Sequence, residues 1–140
     1  MKSGWDIIFN KSILSVLLYL SSFFLTTWNN FAGWRIFIMG IATLFYKNLA
    51  PYFICWFANV LFWICQYRML KYKSSGLLSI IALLLALLYP VLLIVSEQTK
   101  IFNQQEARIQ IGYYIWLSSF ILMVLLQVSS YKNEINLTKK

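Results

Sequence analysis

Apolar residues in this chain gather into five runs separated by short polar segments, and the lengths of the runs decide what each can do. The runs are Ile13–Trp28, Ile36–Tyr46, Leu49–Tyr67, Leu77–Val95 and Ile111–Val128. A bilayer hydrocarbon core of roughly 30 Å asks for about 20 helical residues, with 17–25 the working range. Runs one, three, four and five approach that length, the first with help from Ile7–Phe9 if Lys11 snorkels to the interface. The second, at 11 residues, is too short to cross. The pattern therefore predicts an all-α, polytopic membrane protein: a four-transmembrane-helix bundle in a single domain over 1–140. The expected spans are 13–28, 49–67, 77–95 and 111–128, with a short interfacial or re-entrant helix at 36–46 between spans 1 and 2.

Charge placement orients the bundle. Cytoplasmic segments of membrane proteins carry the excess of Lys and Arg. With four spans and the N-terminus inside, Lys2, Lys11, Arg68, Lys71, Lys73, Lys132, Lys139 and Lys140 fall inside, and Arg35, Lys47, Lys100 and Arg108 fall outside. Counting 36–46 as a fifth span weakens this split from eight against four to seven against five at best. Both termini are expected in the cytoplasm. The first run shows no small-x-small cleavage pattern, so it reads as a retained span rather than a leader. Trp5, Trp28, Trp34, Tyr67, Tyr72, Tyr113, Tyr114 and Tyr131 stand near the expected span ends, where aromatic belts form. The inner connection Arg68–Gly76 is short and makes spans 2 and 3 antiparallel neighbours. The outer connection Ser96–Gln110 is polar, and the tail Tyr131–Lys140 is expected to fray.

Composition agrees with lipid as the solvent. Hydrophobic residues make up 61% of the chain and charged residues only 11%, against roughly 25% charged in soluble domains. The net charge of +8 would suggest nucleic acid on a soluble protein. Here the cations flank apolar runs, which points instead to topology signals and to anionic lipids at the inner face. Cys55 and Cys65 lie in one run, about 15 Å apart along a helix, too far to bridge.

Polar positions inside the runs mark the faces that avoid lipid. They recur at helical spacing: Ser12, Ser15, Tyr19, Ser22 and Thr26; Cys55, Asn59, Phe62 and Gln66; Ser75, Ser79, Ala82, Ala86 and Pro90; Gly112, Trp116, Ser119, Met123 and Gln127. Such stripes serve helix packing more often than transport, because small residues allow close approach and amides bond across helices. The candidate interhelical or functional polar face is Asn59, Gln66, Ser79 and Ser119. Asn59, in mid-span, is the sharpest of these, since its amide needs partners on another helix. Pro90 leaves a carbonyl of its own helix unbonded and predicts a kink. Trp34, Arg35, Trp56 and Trp116 are candidate outer-face contacts.

The absent residue types narrow the function. The chain has no His, and its four acids, Asp6, Glu97, Glu106 and Glu134, lie outside the expected spans. Proton-driven carriers place a carboxylate or His within the membrane, metal centres need ligand clusters, and nucleophile–His–acid catalysis needs His. No catalytic residue, cofactor or metal site is expected, and nucleic acid is not an expected partner.

Three segments carry a resemblance: Gly33-Trp34 through Gly40, Trp56-Phe57-Ala58-Asn59, and Gly112-Tyr113-Tyr114-Ile115-Trp116-Leu117. Together they resemble landmarks of small four-span bacterial inner-membrane proteins, over most of Gly33–Val128. The resemblance implies a bacterial inner membrane and a four-span fold and brings no activity with it. It marks Trp56, Asn59, Gly112 and Trp116 as positions for a shared feature. The expectation is a non-enzymatic protein acting through helix and loop contacts, as a homo-oligomer or with a membrane-protein partner, in a bacterial defence or immunity system or an envelope complex. The alternative is a homo-oligomeric channel or small-solute transporter built on the polar stripe around Asn59.

Overall fold

The computed structural model describes the backbone of residues 4–28, 31–42, 45, 50–71, 73–98 and 109–138. Within these it describes the side chains of 12–27, 31–42, 45, 53–71, 73–92 and 109–129. Lys2, Lys47, Tyr72, Lys139 and Lys140, most of the expected polar connection (99–108), and residues 43, 44 and 46 of the expected interfacial segment lie outside the described residues.

The described chain is helical apart from one small hairpin. α1 spans Gly4–Ser22, β1 Thr26–Trp28, β2 Phe31–Ala32, α2 Gly33–Ala42, α3 Ala50–Leu70, α4 Gly76–Gln98 and α5 Ile111–Thr138. Two of the helices, α3 and α5, hold apolar stretches long enough to cross a membrane, at Phe53–Leu70 and Ile111–Ser129. The described apolar stretches of α1 and α4, Ser12–Ser22 and Gly76–Leu92, are shorter.

Two boundaries correct the sequence reading. The first apolar run does not stay helical to Trp28: α1 stops at Ser22. Ser21 and Ser22 hydroxyls turn back onto the Leu18 and Tyr19 carbonyls, at 2.9 and 2.6 Å. Phe23 and Phe24 amides then bond to carbonyls three residues back, tightening the end of the helix. Beyond them the β-branched and aromatic Thr26, Thr27 and Trp28 suit an extended strand, which pairs antiparallel with β2 as Thr26↔Ala32 and Trp28↔Phe31. Thr26 is thus in a strand and not on the α1 polar face. At the other end, α5 continues as helix through the polar tail to Thr138 instead of fraying at Tyr131. No Gly or Pro interrupts residues 113–138, so nothing in the backbone stops the helix.

Local chemistry explains the remaining starts. Pro51 stands in the first turn of α3, where its missing N–H costs nothing. α4 begins behind Ser75, whose carbonyl takes the Ser79 amide at 3.0 Å. It then runs unbroken through Pro90. The carbonyl that Pro90 cannot bond is that of Ala86, four residues back. The Tyr113 hydroxyl of α5 donates to it at 3.0 Å.

The four long helices pack as one bundle in the spatial order α1–α5–α4–α3. Backbones approach closely at three seams, while the fourth, α1 to α3, is wider and is closed by side chains. Ala82 and Ala86, both fully buried, hold α4 close to its neighbours. Tyr19, Ala58, Leu61, Phe62, Cys65, Phe120 and Met123 complete the core. Tyr19 of α1 stacks on Phe62 of α3 with centroids 4.5 Å apart.

Candidate functional site

The buried polar residues of the bundle collect into three nodes, each centred on one amide side chain. At the first, Asn59 of α3 is 8% exposed. Its Oδ1 accepts from the Tyr19 hydroxyl of α1 at 2.8 Å and from Trp116 Nε1 of α5 at 3.0 Å. Its Nδ2 donates to the Trp56 carbonyl one turn back at 2.9 Å. One oxygen thus joins three helices. At the second node, Gln66 Oε1 accepts from Ser12 Oγ at 2.6 Å, and Gln66 Nε2 donates to Ser15 Oγ at 3.1 Å. Ser15 Oγ in turn donates to the Ser119 carbonyl at 2.9 Å. At the third, Gln127 of α5 donates to the Cys65 carbonyl at 3.1 Å and accepts the Ser75 amide at 2.8 Å. It fastens α5 both to α3 and to the start of α4.

The expected polar face is therefore brought inside, but its members differ in role. Asn59 and Gln66 link helices. Ser79 and Ser119 are fully buried, yet their hydroxyls bond back within their own helices, to Gly76 and Trp116 carbonyls. Ser119 enters the network only through its carbonyl. Tyr19 and Gln127 were on the sequence stripes but not singled out. Their helical register with Ser15 and Met123 was the available signal, and only the fold shows which helices they reach.

The four candidate contact residues separate in the same way. Trp34 and Arg35 are exposed on α2, with the Arg35 guanidinium 5.2 Å from the Trp34 ring centroid, a cation–π geometry. Trp56 and Trp116 are turned into the protein. Trp56 Nε1 donates to the Phe37 carbonyl of α2 at 3.0 Å, and Trp116 is taken by Asn59.

Around these indoles the glycines of the first and third resemblance segments meet at one end of the bundle. Gly33 lies against the Ser22 carbonyl and Gly40 against the Trp56 ring, and neither place has room for a side chain. A Cβ on Gly112 would sit 2.6 Å from the Thr26 carbonyl. The Gln110 amide bonds the Thr27 carbonyl at 2.9 Å. The hairpin and α2 thus form a cap seated on α1, α3 and α5. The opposite end is basic, with Arg68, Lys71 and Lys73 exposed. Arg68 Nη2 bonds the Ser74 carbonyl at 3.2 Å, and Lys71 Nζ stands 5.8 Å from the Tyr67 ring centroid. Among the described residues, no group of three His, Cys, Asp or Glu side chains could hold a metal ion.

No protein-family model, curated protein or solved structure matches this chain.

Proposed function

We propose that this chain is a non-enzymatic, multi-pass protein of a bacterial inner membrane, with four spans and both termini in the cytoplasm. It works through helix and loop contacts, as a self-associating or partner-binding component of a defence, immunity or envelope assembly. The membrane reading rests on one observation: the bundle buries a set of hydrogen-bonded polar side chains within its core and turns mostly apolar side chains outward. Ser12, Ser15, Asn59, Gln66, Ser79, Ser119 and Gln127 are buried, whereas every exposed described position of α4 is Leu, Ile or Val, from Leu77 to Val91. In water that arrangement is costly on both counts; in lipid it is the low-energy one. α1 and α4 pack in the same bundle as α3 and α5, the two helices long and apolar enough to span, and the proposal gives all four the same surroundings. The exposed cations at Arg68, Lys71 and Lys73 suit anionic headgroups of the inner leaflet.

The contact role follows from where the polar groups are used. A channel or transporter, the alternative, asks for a polar face free to line a shared axis. Asn59, Gln66 and Gln127 face inward, and each is bonded to groups on neighbouring helices. The apolar outer faces and the cap remain for meeting lipid, a second copy or another membrane protein. The bacterial setting rests on the three-segment resemblance, and the defence or envelope role on the charge-poor apolar runs.

Topology reporters fused at the N-terminus, at Lys73 and at the C-terminus test the reading. All three should report the cytoplasm; termini on opposite sides would end the four-span account. Purified protein in liposomes should pass no ions. Flux that disappears on Asn59→Leu would replace the contact role with a channel.

A further inference from the structure

The apolar part of α1 is short for a span, and α2 begins against its end. The apolar part of α1 from Ser12 to Ser22 rises about 16 Å, or about 24 Å if Ile7–Phe9 is included. Either length falls short of a roughly 30 Å hydrocarbon core. α5 begins at about the level where α1 ends, at Ile111, but α3 and α4 extend past it. α2 meets α3 at Trp56, through the Phe37 carbonyl and Gly40. That is six residues, about 9 Å, inside the start of α3 at Ala50. Tyr113, in the first turn of α5 beside Gly112 and the cap, bonds Ala86. From Ala86, α4 continues 12 residues, about 18 Å, to Gln98. α2 therefore starts against the last residue of α1 and meets α3 below the ends of α3 and α4.

We infer that α2 is a re-entrant plug held at acyl-chain depth in the outer leaflet, where it completes the apolar height that α1 lacks. This inference rests on the membrane reading above and decides between an interfacial and a re-entrant α2. A helix seated against the end of α1 adds roughly 10 Å of thickness, enough to bring that side of the bundle to bilayer height. Its occupant is lipid. Trp34, Ile38, Met39 and Ile41 are exposed on α2, and Phe45 beyond it is 82% exposed. It is apolar and exposed like the outward faces of α1 and α3, at Leu17, Leu20, Ile54 and Phe57. The one charged side chain of α2, Arg35, stands in its first turn, where its length lets the guanidinium reach the headgroups.

Site-directed spin labelling in phosphatidylcholine–phosphatidylglycerol vesicles tests this. Labels are placed by Met39→Cys and, as a second α2 site, Ile38→Cys, with Leu84→Cys on the α4 lipid face and Lys73→Cys in the basic turn as references. Cys55 and Cys65 are buried, and the parent protein serves as the labelling blank. The accessibility ratio of oxygen to a water-soluble nickel chelate should be several-fold higher at Met39 and Ile38 than at Lys73, and close to that at Leu84. Ratios at Met39 and Ile38 matching Lys73, with Leu84 still high, would overturn the plug and leave the membrane reading standing. Shielding of both α2 labels from both reagents would overturn lipid as the occupant and assign the face to a second copy. A Leu84 label as wet as Lys73 would remove the membrane reading and the plug with it.

Discussion

The α3–α4 and α1–α3 seams close the same bundle by opposite means. α4 presents Ser79, Ala82 and Ala86 inward, and the backbones of α3 and α4 come close. α1 presents Ser12, Ser15 and Tyr19, stays farther from α3, and is joined to it by Gln66, Asn59 and the Tyr19–Phe62 stack. On the proposed membrane reading, lipid supplies no hydrophobic force between helices, and each seam must hold by another interaction. Close seams use dispersion between backbones and small side chains. The wide seam uses side chains long enough to span it and polar enough to prefer each other to hydrocarbon. The tight seam should therefore be sensitive to volume and the wide seam to loss of polarity.

The largest effect is expected for Ala86→Leu. Extra methylenes at a fully buried alanine should cost about 3 kcal/mol, read as a lower midpoint in detergent-titrated unfolding. A neutral result would mean that α4 is not closely packed. Asn59→Leu comes next. It keeps the number and branching of side-chain heavy atoms but strips the Tyr19 hydroxyl and the Trp116 indole of their acceptor. Two orphaned donors should lower stability by about 2 kcal/mol, and Trp116 fluorescence should shift with the lost bond. Unchanged stability would dissolve the contrast between the seams. Tyr19→Phe isolates one of those bonds while retaining the ring stack, and about 1 kcal/mol is expected. The same substitution placed on Asn59→Leu should then add almost nothing, a coupling that a double-mutant cycle measures. Ser119→Ala should be the mildest, under about 0.5 kcal/mol. Its hydroxyl bonds only within its own helix, and the carbonyl that Ser15 uses remains.

Much of the fold was legible as pattern. The start of α5 fell where the apolar run began, and α3 and α4 were placed to within a few residues, because long apolar runs with turn residues between them leave few alternatives. The buried members of each stripe were also legible. Ser12, Ser15, Tyr19 and Ser22 all turn inward, as helical spacing requires. The end of α1 was misread because hydropathy counts Phe23–Trp28 as one apolar run and is blind to backbone shape. The β-branched and aromatic run Thr26-Thr27-Trp28 was the local signal for a strand in place of helix. The helical tail of α5 was misread for the converse reason, since polarity was taken for fraying where no breaker was present.

Pro90 divides the two kinds of information. The sequence alone fixed that a carbonyl four residues earlier must lose its helical partner, because proline has no N–H. It could not say that Tyr113, 23 residues further on, would supply the hydroxyl. The same holds for Asn59. A mid-span amide must find partners or forfeit its burial, which is a property of the residue and its surroundings in the chain. That the partners are Tyr19 and Trp116, and that one oxygen serves both, depends on which helices lie side by side and at what height. Solvation chemistry and backbone geometry act locally and are written in the residue order. Helix adjacency and register are set by the packing of the whole bundle.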